Sequence, residues 1–305
     1  MTTGLVVMAY GTPASLDEVE AYYTDIRRGR PPSADQLAEL TGRYQAIGGV
    51  SPLAERTGAQ VAAITAALNA AEPGAWRVEA GNKHAAPFVE DAVTALADPD
   101  AEGGRPDRIV GLVLAPHYSR ASVGEYHRRA AAIAGEHGLA YTPIDSWHAL
   151  DPWIDAQAAR VRAAIDGLPR ATKVLFTAHS LPERALEGDP YPDELRTSAA
   201  AIATRAGLDR WYGWTLAWQS AGRTPEPWRG PDVTQVIRDL GVTGPAEGVV
   251  VCPQGFVSDH LEVLYDLDVD ARRVAEEAGL AFARTASIND EPAVMAALAE
   301  LVRAT

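Results

Sequence analysis

Cysteine is almost absent from this chain: Cys252 is the only one in 305 residues. A disulfide within the chain is excluded, and the cytoplasm is the expected compartment. One thiol cannot build a cysteine-rich zinc site or an iron–sulfur cluster held by cysteines. No apolar run approaches the ~18 residues of a membrane-spanning helix. Leu5 to Ala9 is too short for a secretory signal and lacks a basic flank. Basic charge is also scarce. Twenty-seven Lys and Arg against 41 Asp and Glu leave a net charge of −14, which argues against a general nucleic-acid binder, whose affinity comes from neutralising phosphates. P-loop, dinucleotide fingerprint, nucleophile elbow and HExxH zinc motif are all missing.

What is present is an ordinary globular composition, 47% hydrophobic, in a length that fits one large domain or two medium ones. Strands are expected over Gly4–Ala9, Arg77–Ala80, Ile109–Ala115, Ala140–Pro143, Lys173–Thr177, Trp211–Leu216, Gly248–Cys252 and Leu280–Arg284. Alanine-rich stretches with apolar residues at three- and four-residue steps lie between them and predict helices over Gln60–Ala70, Pro87–Ala97, Val123–His137, Asp151–Ile165, Asp193–Ala206, Asp232–Leu240, Asp259–Tyr265 and Glu291–Arg303. Such alternation implies an α/β fold of parallel sheets with helices on both faces.

The second half repeats the first. Val6 to Pro13 resembles Val174 to Pro182 with one gap, and Leu112 to Pro116 resembles Val249 to Pro253. The spacing between these two segments is about 30 residues longer in the first half, which matches an irregular insertion at about 25–52. The repeat predicts two similar α/β domains, 1–150 and 151–305, with a cleft lined by Tyr10, His179 and the loops after the strands. The insertion holds the most basic run of an acidic chain, Arg27-Arg28-Gly29-Arg30, then Arg43-Tyr44 and Gly48 to Pro52. Arginine forks grip carboxylates or phosphates, so this loop is either a reader of an anionic ligand or a solvated turn.

Two stretches carry the chemistry. Thr177 to Pro182 and His260 to Asp266 each come after an apolar β-branched run. Open α/β folds hold ligands at the ends of their strands, which puts His179 at a ligand-facing rim. Glu262, Asp266 and Asp270 recur at four-residue steps and on a helix share one face. Like charges at that spacing repel, a cost that a visiting cation relieves; a solvated helix edge is the alternative. Oxygen ligands in a row suit a hydrated divalent ion. His84 and His117 are weaker candidates to line the cleft. His127, His137 and His148 read as packing or surface residues, and His260, two residues from Glu262, points elsewhere on a helix. Trp211, Trp214, Trp218 and Trp228 either wall a flat aromatic ligand or fill the core.

Several motifs together resemble one family: Met8-Ala9-Tyr10-Gly11-Thr12-Pro13, Ile26 to Arg30, Arg43-Tyr44 with Ile47 to Leu53, Ala115-Pro116-His117-Tyr118-Ser119, Ala178 to Pro182, Trp218-Gln219-Ser220, Pro227-Trp228 with Gly230-Pro231, and Asp259 to Asp266. In this order, over almost the whole chain, they resemble ferrochelatases, most closely the coproporphyrin ferrochelatases of Gram-positive bacteria. The resemblance implies two Rossmann-like, chelatase-type domains with a porphyrin cleft between them. It implies a lyase of haem biosynthesis that inserts Fe²⁺ into coproporphyrin III, with protoporphyrin IX or another tetrapyrrole as the alternative substrate and a non-catalytic porphyrin carrier as the rival class. On that resemblance His179 and Glu262 are catalytic, and His179, Glu262, Asp266 and Asp270 handle the metal. Tyr10, Arg27, Arg43, Tyr44, Ser51 and Tyr126 hold the porphyrin. Fe²⁺ is then a substrate, no cofactor is held permanently, and the chain is a monomer with transient contacts to neighbouring haem-pathway enzymes. The sequence departs from the family pattern at Asn82 and in having a single cysteine where many actinobacterial relatives hold a cluster on several.

Overall fold

The computed structural model describes residues 2–100, 103–208, 213–244 and 246–305. All eight expected strands form, at bounds shifted by a few residues; Trp211, at the head of one of them, lies outside the described residues. β1 (Thr3–Ala9), β2 (Trp76–Asn82), β3 (Arg108–Val113) and β4 (Ala140–Ile144) make a parallel sheet in the order β2-β1-β3-β4. β5 (Thr172–His179), β6 (Trp214–Gln219), β7 (Gly248–Cys252) and β8 (Ala281–Arg284) make a second in the order β6-β5-β7-β8. The two orders are the same, with β5 standing where β1 stands and β7 where β3 stands, so the internal repeat is a repeat of topology. Leu5 to Met8 in β1 and Val249 to Cys252 in β7 are fully buried, as central strands covered on both faces must be.

The chain divides into two compact units. One is Met1–Trp147 with Asn289–Thr305, the other His148–Ile288. The break falls near the expected boundary at 150, but the last segment does not belong where the 151–305 span put it. The C-terminal helix α11 (Pro292–Ala304) joins the first unit and packs on α3 (Leu53–Ala71). Its apolar stripe, Val294, Leu298 and Val302, is fully buried. Arg303 pairs with Glu72 at 3.1 Å, and Arg108 donates to the Thr305 carbonyl at 3.1 Å.

The insertion is more regular than expected. Between α1 (Val19–Ile26) and α3 it forms a helix, α2 (Ala34–Ala46), opened by a reciprocal capping box. Gln36 N–H donates to Ser33 Oγ at 3.3 Å, and Ser33 N–H donates to Gln36 Oε1 at 3.0 Å. That S-x-x-Q signal is legible in the sequence. Arg28 (φ 57°) and Gly29 (φ 81°) turn the chain before α2, and Gly48 (φ 98°) and Gly49 (φ 121°) turn it after.

In the first unit α4 (Val89–Ala97) and α5 (Val123–Glu136) cover the sheet, and Val6, Met8, Val93, Leu96, Ile109 and Ala130 fill the space between. In the second, α6 (Asp151–Asp166) and α7 (Tyr191–Ala206) pack together, while α8 (Val233–Thr243) packs on the segment after residue 260. That segment is the largest local departure from expectation. The helix placed over Asp259–Tyr265 begins at Leu261 as α9 (Leu261–Val263), winds through an eight-residue π-helical stretch, Leu264–Ala271, and continues as α10 (Arg272–Glu277). Val263, Leu267 and Ala271 are each 0% exposed. This apolar row at four-residue steps anchors the segment, burial of Val263 and Leu267 contributing about 1.5–3 kcal/mol each.

Candidate functional site

His179 is the last residue of β5, paired in register with Gln219 at the end of β6. Ala178 before it is buried in the core, so strand alternation turns the imidazole away from that packing, and its side chain is 35% exposed. Its Nδ1 lies 2.5 Å from the Ser180 carbonyl, and the Tyr191 hydroxyl donates to the His179 carbonyl at 3.3 Å. Nδ1 is therefore the donor, which aims Nε2 outward.

Glu262 comes to meet it. Because Val263, Leu267 and Ala271 occupy the core, the residues just before each, Glu262, Asp266 and Asp270, form an adjoining row at its edge. Glu262 Oε1 stands 3.5 Å from His179 Nε2. Its other oxygen is 3.7 Å from His260 Nε2. Helical periodicity points His260 elsewhere, and the structure corrects this. The residue precedes the helix with extended backbone (φ −155°, ψ 178°) and flanks the carboxylate. A sequence signal exists in principle: a residue just outside a helix start escapes helical periodicity.

Charge on this group is shared unequally. Burial by itself would push the His179 imidazole down. The Glu262 charge and hydrogen bond, the Ser180 carbonyl and the Asp266 charge outweigh it and raise the pKa to about 9. Burial would raise Glu262, yet His179 and then His260 hold it well below the usual carboxylate range. The resting pair is thus imidazolium and carboxylate.

Asp266 lies within the field of His179 and accepts from Ser220 Oγ at 2.5 Å. Ser220 has left-handed backbone (φ 58°), a conformation that costs a non-glycine residue about 1–3 kcal/mol. Gln219 Nε2 donates to the Glu262 carbonyl at 3.3 Å. The end of β6 therefore touches the segment at both acids. Asp270 is farther along and lies 3.8 Å from Arg273. Among the described residues, no three His, Cys, Asp or Glu side chains form a group that could hold a metal ion. Of the tryptophans in this unit, Trp218 is buried beside Tyr191 and Trp214 packs edge-on against Phe176.

In the first unit the remaining predicted residues fall into two sets. Tyr10, just past β1, is 43% exposed, and its ring stands edge-on to His84 at 4.7 Å. Backbone N–H groups of Lys83 and His84 donate to the carbonyls of Ala9 and Tyr10, at 2.9 and 3.0 Å. His84 Nδ1 lies 2.6 Å from Asp25 Oδ2. Tyr126 is buried on α5; burial, with Tyr10 nearby, pushes its hydroxyl well above the usual range. The Lys83 ammonium lies 5.3 Å from its ring centre and pairs with Glu125 at 2.8 Å.

The other set lies in the insertion. Arg27 ends α1, with its guanidinium 5.6 Å from the Tyr23 ring centre and its Nε donating to the Arg30 carbonyl at 3.1 Å. Arg43 is half-buried in the last turn of α2. Tyr44 beside it is only 1% exposed and is packed in the fold. Ser51 is buried, its Oγ accepting from the Leu53 N–H at the start of α3 at 3.2 Å; the hydroxyl proton can still be donated. His127, bound to the Tyr141 hydroxyl (2.6 Å) and Ile144 carbonyl (3.1 Å), is the packing residue expected.

Solved structures that superpose on this chain include two chelatases. CbiX, the terminal enzyme for biosynthesis of siroheme in denitrifying bacteria, superposes with a TM-score of 0.54 at 18% identity, covering 99% of both chains. SirB from Bacillus subtilis, with Fe³⁺, gives a TM-score of 0.56 at 13% identity over 99% of this chain and 95% of the other. At such identities the likeness speaks for the fold, which is that of the chelatase-type α/β proteins. The sequence goes further. A family model described as Ferrochelatase matches residues 2–305. A coproporphyrin III ferrochelatase of Geobacillus kaustophilus is 42% identical, over 99% of this chain and 95% of its own length. One of Anoxybacillus flavithermus is 43% identical, over 98% and 95%. The chain belongs to the ferrochelatase family.

Proposed function

We propose that this chain inserts Fe²⁺ into coproporphyrin III, giving the iron coproporphyrin, as a lyase of haem biosynthesis. The observation that carries the reading is the His179–Glu262 pair, poised at 3.5 Å with Asp266 in its field. The names of relatives 42% and 43% identical over nearly the full chain support the porphyrin assignment.

The pair suits the reaction. A porphyrin must lose its pyrrole N–H protons, and the metal must shed water. Glu262 is held ionised and offers oxygen to a hard dication. The proton sits on His179 because of the Glu262 charge. A dication arriving at Glu262 cancels that charge, and the His179 pKa falls. The imidazole then gives up its proton to solvent and becomes the acceptor for the pyrrole protons, taken one at a time and each passed on to solvent. Asp266 and Asp270 continue the row of oxygens along the π-helical stretch. Arg27 and Arg43 hold propionates, with Ser51 as a hydroxyl donor, while Tyr10 and Tyr126 contact the macrocycle; Tyr44, packed as it is, supports Arg43.

Fe²⁺ is a substrate here, and no iron–sulfur cluster takes part. Cys252 is the one thiol, fully buried in β7, and burial pushes its pKa up to about 12. No helix among the described residues is long and apolar enough to cross a membrane. We place the enzyme in the cytoplasm as a monomer, with transient contacts to neighbouring enzymes of the pathway. Anaerobic Fe²⁺ insertion measured side by side with coproporphyrin III and protoporphyrin IX tests the proposal. Faster turnover of protoporphyrin IX would change the substrate, and porphyrin binding without insertion would make the chain a carrier.

A further inference from the structure

A π-helical turn holds one residue more than an α turn, so it must be held by something outside itself. If the Leu264–Ala271 stretch rewound as α-helix, each residue gained or lost in the winding would rotate the downstream residues by about 100° about the axis. Glu262 and Asp266, four residues apart, would still share a face, but Asp266 and Asp270 would turn relative to Glu262 and to the core, and with them their reach toward Ser220 and His179. The apolar row resists this from the core side. On the polar side one guanidinium does the same.

Arg284 ends β8 and is 13% exposed in its side chain. Its Nε donates to Asp268 Oδ1 and its Nη2 to Asp268 Oδ2, both at 2.8 Å, a two-pronged fork onto the middle of the π-helical stretch. Its Nη1 reaches Asp259 Oδ1 at 3.2 Å and the Thr285 carbonyl at 3.1 Å. Ser287 Oγ also donates to Asp259 Oδ1, at 2.9 Å. Asp259 lies before the segment and Asp268 within it. One rigid, planar group therefore fixes the span between them, and Glu262 and Asp266 both lie inside that span. Asp268 faces this fork and not the His179 side, so the alternation of Asp and apolar residues over 266–270 is a division of labour: Asp266 for the site, Asp268 for the clamp.

We infer that Arg284 is a positioning residue, which sets the register of the π-helical stretch and so presents Glu262 and Asp266 to the metal; this rests on the metal role proposed above. Loss of a group that orients metal-handling side chains typically weakens metal affinity 10- to 100-fold. Lysine, a point charge without a fork, replaces it only in part.

The test compares wild type, Arg284→Gln, Arg284→Lys and Asp268→Asn by three readouts: Co²⁺ titration tracked by its visible absorption, coproporphyrin III binding by fluorescence, and anaerobic Fe²⁺ insertion. Arg284→Gln and Asp268→Asn are expected to weaken Co²⁺ binding and raise KM for Fe²⁺ by ~10-fold or more, with porphyrin Kd unchanged and circular dichroism native; Arg284→Lys is expected to fall between. Should Arg284→Gln fail to fold, Asp268→Asn, which keeps shape and volume, decides. Wild-type Co²⁺ affinity in the folded variants, or equal losses for metal and porphyrin, would overturn the inference. Absence of insertion by the wild type would overturn the proposed function, while the Co²⁺ titrations would still decide the role of Arg284.

Discussion

His179 Nε2 stands 3.5 Å from Glu262 Oε1, and the carboxylate keeps a proton on the imidazole that burial alone would drive off. The two residues come from the end of β5 and from the segment that follows β7, so their meeting is a property of the folded sheet.

The first prediction is a titration. In wild type the His179 imidazole should titrate near 9 by NMR. In Glu262→Gln the largest raising charge is gone while burial, the Ser180 carbonyl and Asp266 remain, so the value should fall clearly. The same shift ties stability to pH. A folded-state pKa above the unfolded one stabilises fully below about 6.5, and that contribution is lost as pH rises through about 9. The depressed Glu262 adds the other limit: the contribution is present above 4.5 and lost as pH falls through the lower folded-state value. The Tm difference between wild type and Glu262→Gln should therefore shrink between pH 6.5 and 9. A difference that stays constant over that range would contradict the pairing.

His179→Ala should abolish metal insertion while the fold survives, and Glu262→Gln should be severely impaired. Asp266→Asn should be milder, since asparagine still accepts from Ser220, and Asp270→Asn mildest, since Asp270 sits beside Arg273 and away from the pair. Steady-state insertion rates at saturating porphyrin, with Fe²⁺ varied, give the order. An Asp270→Asn defect larger than that of Glu262→Gln would reverse the direction in which the metal meets the row.

Arg27→Ala should weaken coproporphyrin III binding by about 1.5–3 kcal/mol, tenfold or more, the usual loss for a hydrogen bond to a charged group. Fully esterified porphyrin, which lacks the carboxylates, should bind the variant and wild type almost alike. Fluorescence titration of both ligands separates the cases, and equal losses would mean that Arg27 acts by packing on Tyr23.

Cys252→Ser should retain most insertion activity, and the purified protein should show no acid-labile sulfide. Cys252 is wholly buried in a central strand, close to Gln157 and out of reach of a second chain's thiol. Sulfide near one equivalent or more per chain would refute this.

Much of this protein is local and therefore legible in the chain. Short strand-like runs alternating with helical stretches predict eight strands in parallel sheets, and the central ones, such as Val249 to Cys252, carry the apolar β-branched composition that burial on both faces demands. Two pairs of similar segments predict two similar α/β domains, and the structure adds that their sheets share one strand order. His179 and Glu262 stand out because each comes after such a run. The capping box at Ser33 and Gln36 is readable too, but the glycine and arginine around it suggest an irregular loop. The features that only the tertiary structure decided depend on partners distant in sequence. The C-terminal helix α11 looks like any amphipathic helix, and only its fit on α3 assigns it to the first unit. The winding of residues 264–271 comes from an apolar row in the core and an arginine on another strand, neither of which alters the local pattern. His260 joins Glu262 because the helix starts later than periodicity suggests. Periodicity states which face is apolar; packing decides what that face meets, and with it where every neighbouring polar atom ends up.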